Sequence, residues 1–285
     1  MRSLVVLASL ITLTASLMAR QIPTQSLKVD VDLVLVNATV TDTEGRYAVG
    51  LEKENFHVWE DKVEQKIEYF STEDAPISVG LIFDASGSMH DTLPYARQAA
   101  LAFLQTANVD DEYFLVEFND RPRVTVDTTK DIGKLQGHII FIPAKGSTEL
   151  YDAVYMGMEK LKKAAYPKRA LITITDGGEN HSRYSFSNLR DFVREQNVQI
   201  FSIGAEGAIN NLVEMTGGYA FHGIGLEDIC QKIAIELKSE YVIGYRSTNQ
   251  TKDGRWRKVQ LKIDTPNGLS KLSVRAKTGY YAATH

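Results

Sequence analysis

A single cysteine, Cys230, is present in the 285-residue chain, so no intrachain disulfide can form and no lipid-bearing cysteine follows the amino-terminal segment. A basic excess is missing too. The 32 Lys and Arg are outnumbered by 36 Asp and Glu, a net charge of -4, which argues against nucleic-acid binding, where cations must neutralise phosphates. The one basic cluster, Arg255-Trp256-Arg257-Lys258, lies beside Asp253-Gly254 and reads as the charged rim of a β-hairpin. There is no long apolar run. The stretch Leu4 to Met18 follows Arg2 and is too short to span a bilayer comfortably. Residues 1–19 therefore read as an export signal, with an uncleaved anchor as the alternative because Thr14-Ala15-Ser16 and Leu17-Met18-Ala19 are poor small-x-small sites. The mature protein is expected to be periplasmic or extracellular, without a membrane span.

Catalytic signatures are equally scarce. No Gly-x-Ser-x-Gly, no His-Glu-x-x-His and no Gly-rich phosphate loop ending in Lys-Ser or Lys-Thr occurs. What is present is ordinary globular composition, 44% hydrophobic and 24% charged, in a chain long enough for one large or two modest cores. Val29, Val31, Leu33 and Leu35 share one face, with Lys28, Asp30 and Asp32 on the other at the start, and further candidate strands lie near Tyr47 to Leu51, Phe56 to Glu60 and Lys66 to Phe70. The pattern then changes. Ile77 to Phe83, Tyr113 to Phe118, Ala170 to Thr175 and Val198 to Ile203 are nearly continuous apolar runs, suited to strands covered on both faces.

Between these runs, Leu93, Ala96, Ala99 and Phe103 form one helical stripe, and Leu150, Val154, Met158 and Leu161 form another. Cys230 belongs to a third, with Leu226, Ile229, Ile233 and Leu237, and is expected to be buried. Asn119-Asp120-Arg121-Pro122 predicts a tight turn that returns Arg123 to Val126 antiparallel at an edge. Alternation resumes in Tyr241 to Tyr245, Val259 to Ile263 and Leu272 to Ala276, punctuated by Asp253-Gly254 and Pro266-Asn267-Gly268. The fold class implied is α/β, a doubly wound mostly parallel sheet over residues 75–238. Residues 27–74 and 239–283 are each near the lower limit for an independent fold, so they are expected to pair as halves of one β-sandwich into which the α/β region is inserted.

The first apolar strand ends in Asp84-Ala85-Ser86-Gly87-Ser88, an aspartate and two hydroxyls at alternate positions with a glycine for a sharp turn. Lys145-Gly146-Ser147-Thr148 precedes the second helix and Asp176-Gly177-Gly178 follows the third apolar run. In open α/β sheets, ligands bind beyond the carboxyl ends of the strands, which places Asp84, Ser86, Ser88, Thr148 and Asp176 at one edge. Hard divalent cations take such oxygen donors. Taken singly, these residues also suit helix caps and turns.

The order of the three loops resembles a von Willebrand factor A domain over roughly residues 77 to 237, and the whole chain is similar to exported bacterial proteins of that class. The resemblance implies a six-stranded, mostly parallel sheet with one antiparallel edge and a metal-ion-dependent adhesion site for Mg2+ or Mn2+, with Ca2+ as a further candidate. It implies that Ser86, Ser88 and, in the ligand-competent state, Thr148 bind the metal directly, and that Asp84 and Asp176 do so directly or through water. Two aspartates and three neutral hydroxyls leave a divalent ion little overcompensated, so an Asp or Glu of a partner protein can complete it. Met89, His90 and Tyr151 are expected to ring the site as partner contacts. Two other readings remain: a structural metal with the β-sandwich as binding face, and, more remotely, a metal-dependent hydrolase. Such an enzyme would need a second carboxylate where Ser86 stands.

Overall fold

The computed structural model describes residues 33–72, 75–204, 207–221, 226–266 and 268–284. The chain divides into Met1–Val31 and Asp32–His285; the expected export signal, the strand residues before Leu33 and Asn267 of the Pro266-Asn267-Gly268 turn lie outside the described residues. The amino-terminal flank supplies β1 (Leu33–Thr41), β2 (Phe56–Glu60), β3 (Val63–Gln65) and β4 (Ile67–Ser71). Asp61 and Lys62 join β2 to β3 with φ of 46° and 73°, the two left-handed positions that a tight hairpin turn demands.

Tyr47 to Leu51, expected as a strand, makes only one bridge, between Thr41 and Tyr47. The Tyr241 hydroxyl takes the place of a ladder there: it donates to Ala48 O at 3.0 Å and accepts from Leu51 N at 3.1 Å. Backbone groups satisfied in this way need no neighbouring strand.

The central region runs β5 (Ile77–Asp84), α1 (Leu93–Leu104), β6 (Glu112–Phe118), β7 (Arg123–Thr129), α2 (Ile132–Ile139), α3 (Leu150–Leu161), β8 (Lys168–Ile174), α4 (Phe186–Glu195), β9 (Gln199–Ile203), α5 (Ala208–Thr216), β10 (Ala220–Phe221) and α6 (Leu226–Lys238). The sheet order is β10-β9-β8-β5-β6-β7, with only β7 antiparallel to its neighbour. This is the six-stranded arrangement with an antiparallel edge that the resemblance implied. Every residue of β5 is buried. Val79, Leu81 and Phe83 face a core shared with α1 and α6, while Ile82 faces one shared with α3, α4 and α5. Alternation is therefore hidden, because both faces of the strand meet helices. Gly157 of α3 lets that helix approach closely, since a Cβ there would stand 2.7 Å from the Ile82 side chain.

The carboxyl-terminal flank supplies β11 (Tyr241–Arg246), β12 (Trp256–Ile263), β13 (Ser273–Ala276) and β14 (Gly279–Tyr281). The two flanks contribute to both sheets of a sandwich, alternating in β13-β1-β11-β4 and side by side in β14-β12-β2-β3. One core fills the space between them, including Val36, Ala38, Phe56, Val58, Tyr241, Ile243 and Leu261. Ser71, at the end of β4, pairs with Val242 near the start of β11. The chain thus leaves the sandwich and re-enters it at adjacent strands, as an insertion requires.

Candidate metal centre

Asp84 closes β5 in the interior and is 0% exposed. Its Oδ1 accepts Ser86 N at 2.8 Å and its Oδ2 accepts the Thr175 hydroxyl at 2.6 Å. The carboxylate is thereby tied to its own loop and to the end of the neighbouring strand. The backbone then leaves the sheet: Ser86 is extended and Gly87–His90 forms a single 3-10 turn. Extended geometry followed by a tight turn aims both hydroxyls the same way, and Ser86 Oγ lies 3.0 Å from Ser88 Oγ.

Two backbone bonds stitch this loop to the one before α3: Gly87 N donates to Gly146 O at 2.9 Å and Lys145 N to Ala85 O at 2.8 Å. Gly146 has φ of +85°, a conformation that costs glycine least. Asp120 braces the loop from outside, accepting both the amide and the hydroxyl of Ser147 at 2.7 Å. Thr148 is buried, and its amide donates to Asn180 Oδ1 at 3.0 Å while its carbonyl accepts Asn180 N and His181 N. The third loop is therefore bonded directly to the second. Asp176 Oδ1 accepts Gly178 N at 3.0 Å. A Cβ on Gly178 would stand 3.2 Å from Asp176 Oδ1 and 3.7 Å from Thr148 Oγ1, so a bare backbone there keeps both oxygens clear.

The structure brings Asp84, Ser86, Ser88, Thr148 and Asp176 to the carboxyl-terminal edge of β5 and β8, where the strand order reverses. Burial raises the Asp84 carboxyl above its ordinary value; its hydrogen bonds from Ser86 and Thr175 oppose this, and the charge of Asp176 adds to it. Two carboxylates that feel each other's charge, with three hydroxyls on the same loops, are an oxygen donor set that fits a hard divalent cation. Among the described residues no His, Cys, Asp or Glu side chains group in threes to hold a metal, so a cation here must depend on the hydroxyl oxygens.

Of the rim residues, His90 is exposed and Tyr151 is half-buried with its ring 5.9 Å from Phe186. Met89 corrects an expectation. It is 2% exposed and packs into the core under the loop, with the Thr92 hydroxyl 3.5 Å from its sulfur, because the 3-10 turn points it inward while Ser88 and His90 face out. Thr175 and Asn180 were not singled out as parts of the site. Thr175 read as the last residue of a strand, and no local pattern marks a side-chain bond to Asp84 across 91 residues.

Comparison with known proteins gives a family-model match over residues 79–179, described as von Willebrand factor type A domain. The inter-alpha-trypsin inhibitor heavy chain H4 of Bos taurus is 23% identical over 201 residues, covering 60% of this chain and 22% of that protein. The chain thus spans under a quarter of the length of that curated relative. Among solved structures, a von Willebrand factor type A protein from Catenulispora acidiphila superposes with a TM-score of 0.50 at 12% identity, covering 88% of this chain and 73% of that one. An aerotolerance-related membrane protein from Bacteroides fragilis gives 0.50 at 14% identity, covering 56% and 98%. Residues 79–179 thus match the von Willebrand factor type A domain model, and the α/β region has the six-stranded fold of the Catenulispora acidiphila protein.

Proposed function

We propose that this von Willebrand factor type A domain is a metal-dependent protein-binding module, exported from the cell, whose site takes Mg2+ or Mn2+ and engages an acidic residue of a partner protein. The observation that carries the proposal is the donor set: two acidic side chains and three hydroxyls supplied by loops that are hydrogen-bonded to one another. Asp84, Ser86, Ser88, Thr148 and Asp176 would hold the ion. When bound, it would supply a Lewis-acidic position open to a partner carboxylate. Asp84 is held by Ser86 and Thr175, so the chain orients this ligand before any metal arrives. Ser88 is exposed and stands where a partner side chain would approach. This reading makes the protein an interaction module rather than an enzyme. No helix among the described residues is long and apolar enough to cross a membrane.

The test is calorimetric titration of Mn2+ and Mg2+ into the metal-stripped mature protein and into Asp84→Ala. One saturable site in the wild type that vanishes in the variant is expected, together with chelator-sensitive capture of the protein on Asp- and Glu-bearing peptides. A folded wild type that takes up neither ion would overturn the metal-dependent reading and move attention to the sandwich.

A further inference from the structure

Away from the metal loops, a cleft of about 70 Å³ lies between α4 and α5 on one side and β12 to β14 on the other, with Arg194, Gln199, Trp256, Lys277 and Thr278 in its lining. Its lining includes two cations, Arg194 and Lys277, and no Asp or Glu. Gln199, at the first position of β9, is 1% exposed, yet among the described residues neither Oε1 nor Nε2 of its amide has a hydrogen-bond partner. Arg194 is only partly occupied. Its Nη1 donates to the Tyr281 hydroxyl at 3.2 Å and lies 3.8 Å from Asp191, and its guanidinium sits 5.5 Å from the Trp256 ring, but its Nε has no acceptor among the described residues. Lys277 is half-buried, and burial lowers its ammonium to about 8.

Buried polar groups are normally paired, and a cation removed from water is normally matched by an anion. Water entering the cleft could serve the Gln199 amide but could not balance the charge. We propose that this cleft is a binding site for a small oxyanion taken from solution, of the phosphate or carboxylate class, held by Lys277, Arg194 and the Gln199 amide. These residues come from the segment between β13 and β14, from α4 and from β9. The occupant therefore joins the sandwich to the α/β domain, on elements that contribute nothing to the Asp84 site.

The experiment is thermal unfolding of the mature protein in chelator, with inorganic phosphate and, separately, acetate titrated against chloride at constant ionic strength. A saturable rise is expected for at least one of the two, roughly 5 to 10 °C at a hundredfold the Kd, and the responding anion identifies the class. Lys277→Met should lose that response while melting no lower than the wild type in anion-free buffer, because it removes an unmatched cation. Gln199→Leu, which keeps both cations, should weaken binding at least tenfold by calorimetry. A rise that never saturates, or one that persists unchanged in both variants, would show that the cleft holds only water.

Discussion

Two buried carboxylates, one in each region of the molecule, are treated in opposite ways. In the sandwich, Glu60 is 2% exposed and accepts three hydroxyls: Tyr245 at 2.9 Å, Tyr280 at 2.8 Å and Ser247 at 2.6 Å. Burial and the Glu60 charge push both phenols above their ordinary range, which keeps them as neutral donors. In the α/β domain, Asp84 is more deeply buried, is held by Ser86 and the Thr175 hydroxyl, and faces the charge of Asp176. One acid is saturated by its neighbours and acts as a structural tie between β2, β11 and β14. The other is left with excess negative charge at a sheet edge where ligands bind. An acid whose burial is fully compensated within the fold belongs to stability, and one compensated only in part points outward to a ligand.

The sharpest way to break the comparison is to remove each acid in turn. Glu60→Leu should cost about 3 kcal/mol in urea unfolding, because it strands buried hydroxyls, and should leave Mn2+ affinity unchanged. Asp84→Asn should do the reverse, shifting stability by less than about 1 kcal/mol in chelator while abolishing metal binding. If the two variants exchanged these effects, the division of roles would be wrong. A smaller effect is expected at Ser88, whose side chain is exposed and, among the described residues, bonded to Ser86. Ser88→Ala should weaken Mn2+ about tenfold, or about 1.4 kcal/mol, with no change in melting when metal is absent.

The smallest effect concerns pH and lies in the sandwich. His57 is bonded to Glu64 at 2.8 Å and Asp264 at 3.1 Å, and these acceptors raise its pKa above 6.5. A raised imidazole stabilises the fold fully below its unfolded value, and that contribution is lost as pH rises through the folded value. Wild-type stability should therefore fall slightly from just below 6.5 upward, and His57→Ala should flatten that slope without altering the metal response.

Much of this architecture is visible in residue patterns. The apolar runs of β5, β6, β8 and β9 are legible because strands covered on both faces must be apolar throughout. The stripes of α1 and α3 are legible because each buries a whole face. By contrast α2 and α4 bury only Leu135 and Ile139, and Leu189 and Val193, too few positions to establish a helical period. The alternation at Tyr47 to Leu51 misleads for a different reason: its ladder partner is replaced by a hydroxyl from Tyr241, 190 residues away from Leu51.

The candidate site divides along the same line. Residue type and spacing within each loop are local properties, so Asp84, Ser86 and Ser88, the Thr148 loop and the Asp176 turn can be named from the chain alone, as can the alternation of strands and helices that sends them to one edge. The tie from Thr175 to Asp84, the brace from Asp120 to Ser147, the inward turn of Met89 and the unmatched cleft around Gln199 and Lys277 exist only once distant segments have packed. Periodicity reports which face of an element is apolar. Only packing decides which polar groups meet across those faces, and so which of them are satisfied by the fold and which are left for a ligand.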